Sequence, residues 1–176
     1  MNGVKRLKAC FLCAFLLLLT GCFLKETETG GCSSCPSWVE EKGTSAVAFE
    51  TVDQGVHSGI REARRLVIKN PADWEAFWRE HTKDRLFPLP LPYVNFAEEM
   101  VIAYFLGEQK TSGYTVEIFE LREMEGEMLV RIRVTTPPPG IPLLQVLTQP
   151  FHIIKLSKRD LPVRFEVEVS SGKAKP

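Results

Sequence analysis

The second half of the chain alternates apolar and polar side chains at period two, and this constrains the fold most. Tyr114–Arg122 and Met128–Thr135 (MLVRIRVT) alternate, with Arg131 and Arg133 on the outward side. Phe151–Leu156 (FHIIKL) and Val163–Val169 (VRFEVEV) repeat the pattern. A period of two places alternate side chains on opposite faces of a strand, so these runs predict half-buried antiparallel β-structure. Glu123-Met124-Glu125-Gly126 joins the first two as a hairpin. Met100–Leu106 (MVIAYFL) has no polar member and predicts a strand buried on both faces. Ala46–Val52 and Glu62–Lys69 add two more short β-prone runs, with a turn at Val56-His57-Ser58-Gly59.

One segment keeps a different period. Asn70-Pro71-Ala72-Asp73 has the order of a helix start: Asn as cap, Pro at the first helical position, Asp in the first turn. Trp74, Phe77, Trp78 and His81 then follow at i, i+3, i+4 and i+7, a single apolar stripe. Pro88, Pro90 and Pro92 exclude helix and central strand from 85–92. The expected fold is mostly β (α+β): an antiparallel sheet or small sandwich of about seven strands carrying one amphipathic helix.

The N-terminus reads as an address. Lys5, Arg6 and Lys8 precede the apolar run Ala9–Leu19, which is too short to span a bilayer and has the length of a secretory signal core. Leu19-Thr20-Gly21-Cys22 resembles the bacterial lipobox, whose cysteine is acylated before cleavage. The expected organisation is a lipoprotein signal peptide over 1–21, a lipidated flexible tether over 22–44, a domain over 45–170 and a tail over 171–176. Cys22 is then the anchor, and the working protein is a lipoprotein of the bacterial cell envelope, periplasmic or surface-exposed. The full chain carries 22 basic and 22 acidic residues. Loss of Lys5, Arg6 and Lys8 leaves 22 − 3 = 19 basic residues and a charge of 19 − 22 = −3. A mildly acidic domain is a poor nucleic-acid binder. Cys32 and Cys35, in a Gly/Ser/Pro-rich stretch, are expected to form a local disulfide; a redox dithiol or half a zinc site are the alternatives.

Catalytic patterns are missing. There is no HExxH, no glycine-rich phosphate loop and no GxSxG. Nothing in the spacing of Ser112, His152 and Asp160 demands a nucleophilic triad. Glu98 and Glu99 read as a solvated turn, His81 as an edge-of-core imidazole with one hydrogen bond, and His152 as a sheet-face residue. No catalytic residue, metal or cofactor is expected. Gly107–Tyr114 (GEQKTSGY) reads as a polar hairpin tip, with Thr111, Ser112, Gly113 and Tyr114 as the candidate partner-binding loop.

Four motifs accumulate in order: Trp74-x-x-Phe77-Trp78, Val94-Asn95-Phe96 with Met100-Val101-Ile102-Ala103, Gly107-Glu108-x-x-Thr111-x-Gly113-Tyr114, and Pro150-Phe151-His152-Ile153-Ile154. Together they resemble the C-terminal domain of the protease-complex subunit PrcB family over roughly Pro71 to Val169. Asn95 and Ser112 depart from the residues usual there. The resemblance implies a non-catalytic accessory subunit that binds a protein partner, a surface protease. The Thr-x-Gly-Tyr segment is also similar to a loop of the chagasin-like cysteine-protease inhibitors, which makes a loop-based inhibitor the alternative.

Overall fold

The computed structural model describes residues 44–87 and 89–172. The expected signal peptide, Cys22 and the Cys32/Cys35 pair lie outside the described residues.

Among the described residues, eight strands and one helix follow in the order β1 (Ser45–Ala46), β2 (Phe49–Gly55), β3 (Arg64–Ile68), α1 (Pro71–Thr82), β4 (Glu99–Phe105), β5 (Thr115–Met124), β6 (Glu127–Thr136), β7 (Phe151–Ser157) and β8 (Val163–Ser171). They form two four-stranded sheets: an outer sheet ordered β1-β5-β6-β8 and a central sheet ordered β2-β7-β4-β3. The helix covers the far face of the central sheet, so the domain has three layers.

The central sheet explains the apolar runs. Val101, Ala103 and Phe105 of β4, with Phe151 and Ile153 of β7, pack with Trp74, Phe77 and Trp78 of the helix. Met100, Ile102 and Tyr104, with Ile154 and Leu156, pack instead with Val116, Ile118, Leu121, Met128, Val130, Ile132 and Val134 of the outer sheet. A strand covered on both faces needs no polar alternation, and each large apolar side chain it buries contributes roughly 1.5–3 kcal/mol.

The helix starts as its sequence requires. Asn70 caps it, with its side chain accepting from the Asp73 N–H at 2.9 Å. All four stripe residues, Trp74, Phe77, Trp78 and His81, are buried. The β5–β6 hairpin turns on Glu125-Gly126, and Gly126 sits at φ +83°, where a side chain would be strained. A bulge between Ile118 and Glu120 resets the alternation there. It leaves Phe119 under Arg131 and Arg133, whose guanidinium carbons lie 5.0 and 4.2 Å from its ring centre.

The expectation of a mostly β sandwich with one helix holds, at eight strands among the described residues: Ala46–Val52 contributes to two of them, β1 pairing with β5 and β2 with β7, in different sheets. One pair, β6 with β8, is parallel. The stretch Gly107–Tyr114 is no hairpin tip, because β4 and β5 belong to different sheets and the loop crosses between them. The last strand, β8, runs to Ser171.

Candidate functional site

Four loops gather at one end of the domain. Loop 107–114 is tied to loop 137–150 by backbone bonds between Gln109 and Thr148 in both directions, at 2.7 and 2.9 Å. The Ser112 N–H donates to Leu144 O at 3.0 Å, and the Thr148 hydroxyl donates to Thr111 O at 3.0 Å. The turn after β2 joins them: Gln149 N–H donates to Val56 O, and Glu108 N–H donates to Arg61 O. The segment leaving the helix is the fourth. Where they meet, His57, Ser58, Arg61, Asp84, Arg85, Leu86, Glu108, Leu147 and Gln149 line an open cleft of about 500 Å³.

The proposed binding residues fall on this end, in a different arrangement from the one expected. Thr111, Ser112 and Tyr114 are half-buried and only Gly113 is exposed. Gly113 sits at φ +95°, and a Cβ there would lie 2.9 Å from the Pro137 side chain, so it allows the two loops to close on each other. The exposed apolar groups are on the neighbouring loops: Leu86 is 88% exposed, Leu144 73% and Leu147 53%, with Ile141 and Val146 also exposed. The sequence carried a signal for these. Leu143-Leu144-Gln145-Val146-Leu147 is an apolar run between Pro142 and Pro150 that fits no strand. A run without regular backbone pairing lies on the surface.

A buried polar relay backs the cleft. His81 is fully buried. Its Nδ1 lies 2.9 Å from the Ser58 hydroxyl and its Nε2 3.0 Å from an Asp53 carboxylate oxygen. The carboxylate only accepts, so Nε2 carries the proton it shares. Arg85 donates to the same Asp53 oxygen at 2.8 Å, and Ile60 N–H donates to the Ser58 oxygen at 3.0 Å. Burial works to raise the Asp53 carboxyl, but the His81 hydrogen bond and the Arg85 charge outweigh it and hold it below its ordinary value. His81 therefore has two partners and no exposure, where the sequence predicted one bond at the core's edge.

The order serine, histidine, aspartate also occurs in nucleophilic triads. Here Ser58 is 5% exposed, and the imidazole is enclosed by Phe77, Phe105 and Phe151, with ring centres 4.5–6.0 Å away. The ring itself is covered, while Ser58 lines the cleft. The relay works as a latch that ties β2 and its turn to the end of the helix, and Gly59 completes it. Its N–H donates to His81 O at 2.8 Å, and a Cβ on Gly59 would stand 2.3 Å from Glu80 O.

The structure does not bring Ser112, His152 and Asp160 together. Ser112 bonds Leu144, and Asp160 is exposed beside Lys69. His152 is buried between the sheets, where Nδ1 accepts from Ile118 N–H at 2.8 Å and Nε2 lies 2.9 Å from the Thr51 hydroxyl. Burial lowers its pKa, with Glu117 opposing. Glu98 and Glu99 bond Asn95 in a turn, and Glu99 also pairs with Lys155. Among the described residues there is no group of three His, Cys, Asp or Glu that could hold a metal, and no helix long and apolar enough to cross a membrane.

A sandwich with one covering helix, its loops gathered around an apolar-rimmed cleft, defines a loop-bearing β-domain. Residues 100–157 match the family described as PrcB C-terminal, so the resemblance read from the sequence holds for the segment from β4 to β7. The match ties this segment to a protease-complex-related family. The helix motif at Trp74–Trp78 lies outside it. No curated protein and no solved structure matches the chain.

Proposed function

We propose that the chain is a membrane-anchored, non-catalytic accessory lipoprotein of the bacterial cell envelope. In this reading Cys22 carries the lipid, and the gathered loops dock a protein partner belonging to a protease complex. The observation that carries the docking is the set of exposed leucines, Leu86, Leu144 and Leu147, on loops that hydrogen bonds and a shared cleft gather at one end of the domain. Apolar anchors around a cleft, with a rim of Arg61, Asp84 and Glu108, have the anatomy of a protein-binding patch. The relay from Asp53 to Ser58 supports the reading by holding the cleft's floor rigid.

The second reading, a loop-based inhibitor of chagasin-like type, is favoured by the same convergence of loops, since inhibitors insert loops into a protease cleft. Cross-linking in membranes followed by purification of the full chain tests the proposal. A protease-complex component cross-linked to 107–114 or 137–150 is expected. Cross-links confined to the outer sheet would contradict the docking face. If the recovered protease loses activity stoichiometrically on adding the chain, the inhibitor reading replaces the accessory one.

A further inference from the structure

A sheet edge with free backbone groups is a template for another strand, and folded domains blunt such edges. Three of the four edges here are blunted. β1 has two residues. β2 is broken by a bulge between Thr51 and Asp53. β3 has five residues and begins with Arg64-Arg65. The fourth edge, β8, has nine residues and contains neither proline nor a register shift.

The parallel ladder fixes which groups of β8 have no partner among the described residues. Met128 N–H donates to Pro162 O, and Gly172 N–H donates to Thr136 O. In a parallel pair, alternate residues direct both backbone groups to the same neighbour. The even-numbered residues of β8 therefore bond β6, and Val163, Phe165, Val167, Val169 and Ser171 direct their N–H and C=O groups away from it. The side chains of Val163, Phe165 and Val167 are partly buried against the inter-sheet core, and Val169 is 69% exposed. Their neighbours Arg164, Glu166 and Glu168 lie on the outer face among Glu127, Arg131 and Arg133.

We propose that β8 pairs with β8 of a second copy of this chain, antiparallel about a two-fold axis at Phe165. Among the registers centred on residues 164 to 167, charge selects one. Centring on Arg164 or Glu166 sets a like charge opposite itself, and centring on Val167 sets Glu166 against Glu168 twice. Centring on Phe165 sets Arg164 against Glu166 twice, Val163 against Val167, and Phe165 against Phe165. The free groups then face each other and form about six backbone hydrogen bonds across the axis. The contact is isologous and closed, so it stops at two copies.

Sedimentation equilibrium of the purified full chain, under reducing conditions in density-matched detergent, tests this. A dimer is expected. Val167→Pro removes an N–H that β6 does not use, and edge strands tolerate proline there. Arg164→Glu sets acid against acid without touching the core. Each should weaken dimerisation by at least about tenfold, and Arg164→Glu with Glu166→Arg should restore it. Should the proline variant fail to fold, the charge variants decide alone. A monomeric wild-type chain, or a dimer indifferent to Arg164→Glu, overturns the pairing. Failure of the double variant to restore the dimer overturns the register.

Discussion

Replacing Asp53 by alanine tests whether the relay behind the cleft holds the fold together. The carboxylate is the acceptor for a fully buried imidazole N–H at 3.0 Å and for Arg85 at 2.8 Å. Without it, His81 Nε2, on a ring with no exposure, loses its acceptor, and a buried donor left alone costs about 1–3 kcal/mol. Arg85 is 28% exposed and can turn toward solvent, so its loss adds under about 1 kcal/mol. The sum is about 3 kcal/mol. For a domain of this size that lowers the melting temperature by roughly 12 °C. Asn at the same position keeps an acceptor for His81 and loses only charge, so Asp53→Asn should cost about 1 kcal/mol. Thermal and urea denaturation of the full chain would measure both. An alanine variant with the wild-type midpoint, or an asparagine variant as unstable as alanine, would refute the relay. The depressed Asp53 carboxyl adds a pH sign. The unfolded chain binds the proton first, so this stability is present above the ordinary carboxylate range and is lost as pH falls through and below it.

Trp78, 6% exposed and packed between Trp74 and His81, should cost ~3–5 kcal/mol on replacement by Ala, read from urea midpoints. His152 is held unprotonated by burial, so the unfolded state takes up the proton first. Stability should be full above about pH 6.5 and fall as pH drops below it, and His152→Gln should flatten that slope in melts between pH 7 and pH 5. Cys22→Ala should abolish incorporation of labelled fatty acid and leave uncleaved precursor; label still entering the variant would remove the anchor.

The elements legible in the sequence were those whose signals are local. Asn70-Pro71 and the stripe from Trp74 to His81 specify a helix within twelve residues, and its buried face is the one the spacing gives. Met100–Leu106 was legible because a strand covered on both sides must be apolar throughout. The bulge at Phe119 was not legible: Tyr114–Arg122 reads as plain alternation, and only the pairing with β6 shows the shift between Ile118 and Glu120. What the sequence hid is non-local. Nothing near Val163 says that β8 runs parallel to β6, because the chain reaches it only after crossing into the other sheet through β7. The division of Ala46–Val52 depends on Val47 and Ala48 carrying the chain from one sheet to the other. Ser58, His81 and Asp53 stand 23 and 28 residues apart, and only the packing of the helix on the central sheet brings them together. The proposed docking face was half legible: Gly113 marks the loop, but the exposed leucines Leu144 and Leu147 lie on 137–150, which proline and lack of alternation made unreadable as structure.

The most direct test of the account is the affinity of the cross-linked partner, once purified, for Leu147→Asp and Leu144→Asp variants against wild type. A carboxylate in an apolar anchor position should cost about 2 kcal/mol or more of binding, roughly thirtyfold in Kd. The melting curves should stay native, because both side chains are more than half exposed. Folded variants that bind the partner with wild-type affinity would contradict the claim that these loops are the docking face.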